Sequence, residues 1–226
     1  MSEPSGDSSS CKRAGRPRSD TEHDRLATAG GWHSRGYLPH SEFRRIQFIT
    51  YRLFDSVPQE RVLAWKRDLA ITDATAPNAP ESQELRRRIE LYADAGHGSC
   101  FLQDPRVARL VRDNLLHFDT IRYRLLDWCI MPNHVHVLVE PSETWFLSRI
   151  VHTWRSYTAH EANRILGRTG AFWFPEYFDR YIRNEDHLRR TIAYIDANPR
   201  NAHLPDWPWS HSASRFPLSE RGRPAR

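Results

Sequence analysis

From residue 45 the chain reads Arg-Ile-Gln-Phe-Ile-Thr-Tyr-Arg-Leu-Phe, a run of β-branched and aromatic side chains that predicts a strand ending at the turn 55–58. A helical stretch follows, broken by Pro77, Asn78 and Pro80, and Gly96, His97 and Gly98 form a loop. Asp104 before Pro105 marks a helix start, since the carboxylate caps the first turn and proline suits its first position. Val107, Leu110, Val111, Leu115 and Phe118 then recur at helical spacing and face a core, while Arg106, Arg109 and Arg112 face outward. Residues 122–130 and 134–140 read as two strands joined through Met131, Pro132 and Asn133 in a hairpin. Ser142 is expected to cap a helix carrying Leu147, Ile150, Val151, Trp154 and Ile165 and ending near Gly167. A Gly and aromatic segment leads to a short strand over 178–182, and Asn184 caps a last helix that ends near Asn198, ahead of Pro199. The order β, α, β, β, α, short β, α predicts an α+β fold: a ferredoxin-like split βαβ core with a mostly antiparallel sheet.

The ends of the chain break this patterning. Residues 1–34 and 211–226 are rich in Ser, Gly, Pro and Arg, and they predict disordered tails around one folded domain, 35–210. Each tail holds a Gly-Arg-Pro, at 15–17 and 222–224, a sequence suited to a minor-groove hook. No apolar run is long enough for a membrane span and no signal peptide opens the chain, so a cytoplasmic protein with no membrane partner is expected. Cys11, Cys100 and Cys129 are too scattered for a disulfide framework or a cysteine zinc site. The net charge is +5, and lysine occurs only at Lys12 and Lys66 among 33 Lys and Arg. Arginine forks onto phosphate and stacks on bases, although a G+C-rich coding sequence would give the same bias.

Against this background two small groups of residues carry chemistry. In His134-Val-His136-Val-Leu-Val the two-residue period of a strand sends both imidazoles to one face and the valines to the other. Two imidazoles can converge on one cation, or they can serve as buried hydrogen-bonded groups. On the last helix Leu188, Ile192 and Ile195 mark the buried stripe, and Tyr194 and Asn198, four apart, share a neighbouring face. A packed tyrosine and a helix-ending asparagine would explain that pair equally well.

Taken together, Met131-Pro-Asn-His134-Val-His136 followed by Tyr194-Ile-Asp-Ala-Asn198-Pro199 resembles the bacterial REP-associated tyrosine transposases of the HUH superfamily, relatives of the single-strand IS200-like transposases. Segments at 35–40, 47–53, 167–170, 176–180 and 206–210 extend the resemblance over about 36–210. It implies that His134, His136 and Asn198 hold a divalent cation, Mg²⁺ or Mn²⁺, and that Tyr194, on the C-terminal helix, is the nucleophile. The implied enzyme is a metal-dependent tyrosine transposase, a DNA nickase and strand transferase. Its implied partner is single-stranded DNA with a palindromic hairpin, cut through a 5′-phosphotyrosine intermediate. A monomer is the expected state. The segment 61–100 exceeds the minimal family domain and has no assigned role.

Arg180 and Arg183, just before the nucleophile helix, are expected to contact nucleic acid, with a solvated salt-bridging face as the alternative. Tyr177 and Tyr181 read as packing residues. Glu140 shares the strand face of the two His but sits at the strand end, as an outer neighbour at most. The alternative function is a domesticated nucleic-acid-binding protein that stacks bases on Trp128, Trp173 and Phe174 without cutting. A metal-dependent hydrolase would leave Tyr194 without a purpose.

Overall fold

The computed structural model describes residues 32–34, 39–41, 45–76, 79–204 and 206–211. The expected tails and both Gly-Arg-Pro stretches lie outside the described residues, apart from 32–34 and His211. Strand β1 (Trp32–Ser34) pairs antiparallel with β2 (Pro39–Ser41). The main body runs β3 (Gln47–Leu53), α1 (Gln59–Asp68), α2 (Pro80–Asp94), a 3₁₀ turn (Phe101–Gln103), α3 (Pro105–His117), β4 (Tyr123–Ile130) and β5 (His134–Pro141). It continues through α4 (Leu147–Ile165), β6 (Trp173–Tyr181), α5 (Glu185–Asn201) and β7 (Ser210–His211).

Five strands form one sheet in the order β6-β3-β5-β4-β7, with every neighbouring pair antiparallel. Within β3-α3-β4-β5-α4-β6, the crossover through α3 places β4 two positions from β3, and β5 fills the gap. This is the split βαβ arrangement of a ferredoxin-like α+β fold. Helices α1 and α2 are additions between β3 and α3, and β7 extends the sheet edge.

Local sequence accounts for most of these elements. The Asp104 side chain accepts from the Arg106 N–H at 2.9 Å with Pro105 in the first turn, and Asn184 accepts from the His187 N–H at 2.9 Å. Three expectations are corrected. Ser142 does not cap α4: its hydroxyl donates to the Arg122 carbonyl at 2.8 Å, closing the base of the β4–β5 hairpin, and α4 begins at Leu147 without a side-chain cap. The strand expected to be short spans nine residues because β6 pairs along most of β3. Helix α5 continues through Pro199 to Asn201, where the Ala202 N–H still reaches the Asn198 carbonyl at 3.0 Å.

The alternation of β5 divides the interior. Val135, Val137 and Val139 join Ile49, Tyr51 and Leu53 against Val107, Val111 and Leu115 of α3 and Ile150, Val151 and Trp154 of α4. Full burial of each such side chain stabilises by about 1.5–3 kcal/mol. The Trp154 indole N–H donates to the Tyr123 hydroxyl at 2.9 Å, which donates onward to the Leu115 carbonyl at 2.7 Å, so these two polar tips are satisfied. On the opposite face Phe48, Leu138 and Phe178 pack with Leu188 and Ile195 of α5. A third cluster, Val57, Val62, Leu85, Ile89 and Ala93, glues α1 to α2.

Candidate active site

His134 and His136 are fully buried on the α5 side of β5, with their Nε2 atoms 3.0 Å apart. Each opposite ring nitrogen is engaged. His134 Nδ1 lies 2.7 Å from Asn133 Oδ1, and His136 Nδ1 lies 2.8 Å from the hydroxyl of Thr50, its cross-strand partner on β3. Burial and the neighbouring His134 hold the His136 imidazole well below its usual pKa, so it is neutral at pH 7 and keeps a lone pair.

Helix α2 brings a carboxylate to the same point. Asp94 Oδ1 lies 3.3 Å from His134 Nε2, and it is buried without a hydrogen bond of good geometry. Ligand atoms of Asp94, His134 and His136 all fall within 4.8 Å of one another. The two Nε2 atoms can share one proton, but the buried Asp94 oxygen is left without a hydrogen bond, and a cation among the three would satisfy it together with both ring lone pairs. The donor set, two imidazoles and a carboxylate, therefore fits a divalent ion. One turn earlier on α2, Glu90 is pushed up to about 7, first by burial and then by the charge of Asp94, with Arg180 and Arg86 opposing.

Helix α5 closes the other side. The Tyr194 ring lies 5.4 Å from the His136 ring and 5.9 Å from that of Phe48, centroid to centroid. Its hydroxyl is buried, and among the described residues it makes no hydrogen bond of good geometry, with the Asn198 side chain beside it. Burial pushes the phenol well above its usual pKa, Glu90 and Asp94 push it further, and Asn198 and Arg180 draw it down. Asn198 is buried one turn beyond Tyr194, so the expected pairing of these two on one helix face holds. A pocket between α2 and the sheet opens onto Asp94, His134 and His136 and is also lined by Arg52, Arg86, Glu90 and Phe174. The Arg52 guanidinium stacks on Phe174 at 3.6 Å.

Arg180 is exposed at the end of β6 on this face, with its guanidinium 5.5 Å from the Phe178 ring. Arg183 is exposed beyond the strand, 5.8 Å from the Tyr181 ring. Tyr177 is buried in the α3–α4 layer, on the far face of the sheet. Glu140 pairs with Arg124 at 2.6 Å and takes no part in the cluster. Sequence reasoning missed Asp94, Glu90 and Thr50, and it gave Asn133 only a turn. The available signal was the four-residue spacing of Glu90 and Asp94, which on an Arg-rich helix also describes a solvated face.

Residues 108–198, the stretch that holds both His, Tyr194 and Asn198, match the family model described as IS200-like transposase. The match begins inside α3, so α1 and α2, with Asp94, lie outside it. No curated protein matches the chain. Among solved structures, the chain is similar to a REP-associated tyrosine transposase bound to a REP hairpin, with 15% identity and a TM-score of 0.47, over 85% of this chain and 91% of that one. It is also similar to a protein of Deinococcus radiodurans R1 assigned as a transposase, with 13% identity and a TM-score of 0.33, over 74% of this chain and 96% of that one. No helix among the described residues is long and apolar enough to cross a membrane.

Proposed function

We propose that this chain, transposase-like over 108–198, is a metal-dependent strand transferase that cuts single-stranded DNA beside a palindromic hairpin with Tyr194 as nucleophile. The observation that carries this reading is the seat of Tyr194 against His136, whose Nε2 meets that of His134 beside Asp94. A nucleophile and a set of cation ligands thus face each other across one small space. His134, His136, Asp94 and Asn198 are the residues that would hold Mg²⁺ or Mn²⁺. Such an ion would polarise a phosphate oxygen and offset the charge that builds on it.

The side chains divide the remaining work. Tyr194 Oη loses its proton and forms a bond to phosphorus, while the bond from phosphorus to the 3′ oxygen breaks and that oxygen takes up a proton. The products are a 5′-phosphotyrosine and a free 3′-OH, and reversal on a second 3′-OH rejoins the strand. Burial opposes ionisation of the phenol, Asn198 and the positive charge of Arg180 favour the phenolate, and a bound divalent ion would favour it further. Arg180 and Arg183 stand exposed ahead of the nucleophile helix and are suited to hold the flanking phosphates. The hairpin as substrate rests on the sequence motifs alone.

Incubating the chain with Mn²⁺ and a labelled hairpin bearing a single-stranded flank tests this reading. A covalent protein–DNA band is expected on a denaturing gel from the wild type and none from Tyr194→Phe, with DNA binding retained. A band that persists in Tyr194→Phe would place the nucleophile elsewhere.

A further inference from the structure

We infer that Asn133 is a positioning residue of the cation site: its single carboxamide selects the tautomer of His134 and ties down the end of α2 that carries Asp94. The inference rests on the metal-site reading above and adds to it the means by which the site is set.

Asn133 is 1% exposed, in the reversal between β4 and β5. Its amide nitrogen donates to the Ala93 carbonyl at 2.9 Å and to the His97 carbonyl at 2.8 Å. Carbonyl oxygens only accept, so the amide nitrogen must face α2 and the amide oxygen must face His134; the flipped arrangement would set oxygen against two oxygens. An oxygen 2.7 Å from His134 Nδ1 requires that nitrogen to carry the proton. A neutral imidazole protonated at Nδ1 has a bare Nε2, and Nε2 is the atom that lies 3.0 Å from His136 Nε2 and 3.3 Å from Asp94 Oδ1.

The same group sets the carboxylate. Ala93 immediately precedes Asp94, the last residue of α2, and His97 follows in the loop, so both anchored carbonyls flank the acid. The Ala93 carbonyl, which also accepts from the Gly96 N–H at 2.9 Å, and the His97 carbonyl in the loop each take a hydrogen bond from the Asn133 amide, so one side chain ties the helix end to the loop beyond it. The Leu53 N–H donates to the Asn133 carbonyl at 2.8 Å, which fixes this residue to the end of β3 as well. One residue therefore holds strand, hairpin and helix in the relation that the ligands need.

Two measurements test the assignment. The first is the imidazole ¹⁵N spectrum of the metal-free chain at pH 8, which reads the tautomer of His134 directly. The Nδ1–H form is expected in the wild type and in Asn133→Asp, which keeps the acceptor, and a mixture is expected in Asn133→Ala. An Nε2–H form in the wild type overturns the proposal. The second is calorimetric titration with Mn²⁺ of wild type, Asn133→Ala, Asp94→Ala and the double variant, each checked for folding by circular dichroism. Asn133→Ala is expected to weaken Mn²⁺ about 10- to 100-fold, and the penalty of Asp94→Ala is expected to shrink in its background. Unchanged affinity in folded Asn133→Ala, or strictly additive penalties, overturns the proposal. If Asn133→Ala does not fold, Asn133→Asp takes its place: faster hydrogen exchange at the end of α2 with the tautomer retained supports the double role, and unchanged exchange overturns it. A wild-type chain that binds no Mn²⁺ defeats the metal reading, while the tautomer still decides the role of Asn133.

Discussion

The two faces of β5 are one residue out of step and physically unlike. On one face Val135, Val137 and Val139 enter a dry layer against α3 and α4, where fit and volume govern the energy. On the other His134 and His136 stand among Asn133, Thr50, Asp94 and Tyr194, where hydrogen-bond direction and charge govern it. One strand thus stabilises the sheet with one set of side chains and lines the candidate site with the alternate set. The difference teaches that changes on the two faces should separate folding from chemistry.

The sharpest test of that separation pairs one substitution from each layer. His136→Ala should reduce cleavage of a single-stranded substrate to background while shifting the denaturation midpoint little. Trp154→Ala should cost about 3–5 kcal/mol of stability yet leave the folded fraction able to cut. Denaturant curves and gel assays on both proteins check this, and the reverse pattern would break the comparison.

A smaller effect tests whether α2 belongs to the reactive face. Asp94→Asn keeps the size of the side chain and removes its charge, and Mn²⁺ binding should weaken about tenfold, or by about 1.4 kcal/mol. Calorimetry reads this, and unchanged affinity would return α2 to a purely packing role.

The charged face should also respond to pH where the valine face does not. Glu90 is raised from its ordinary range to about 7, so the unfolded chain gives up this proton at lower pH than the folded chain does. Stability from this group is present below pH 4.5 and is lost as pH rises through 7. Glu90→Gln should therefore stabilise the metal-free chain at pH 8, by up to about 3 kcal/mol, and change little near pH 4. Thermal melts at the two pH values check the sign.

The smallest change is expected at the rim. Arg180→Ala should weaken single-strand DNA binding and flatten its salt dependence by about one unit of slope. Arg183→Ala should do less, since Arg180 and not Arg183 acts on Tyr194. Equal effects from both would argue for a diffuse basic surface.

Much of this arrangement is legible in the sequence because local rules dominate it. The caps at Asp104 and Asn184, the 131–133 reversal and the stripe of α5 follow from spacing alone, and the resulting order of elements gives the split topology. The contribution of α2 is not legible, because Glu90 and Asp94 are ordinary acids among Arg86, Arg87 and Arg88 until packing on α1 through Val62, Leu85 and Ile89 and the Asn133 hydrogen bond to Ala93 fix where the helix ends. Ser142 misleads because it serves a carbonyl distant in sequence, Arg122, in place of its own helix. Pro199 misleads because one missing N–H near a helix end costs little when the next turn is held by other bonds.

The central position of β3 has a consequence for how the molecule comes into being. Its two neighbours, β5 and β6, are both made much later in the chain, and Thr50 meets His136 across 86 residues. Pairings of such long range make for slow folding, since loop closure precedes any reward from contact. During synthesis Asp94, His134 and His136 all precede α5, and that helix brings Tyr194 and Asn198 together at the end. On the proposed reading a chain that stops short of α5 has no means to cut, because Tyr194 and Asn198 arrive only with that helix.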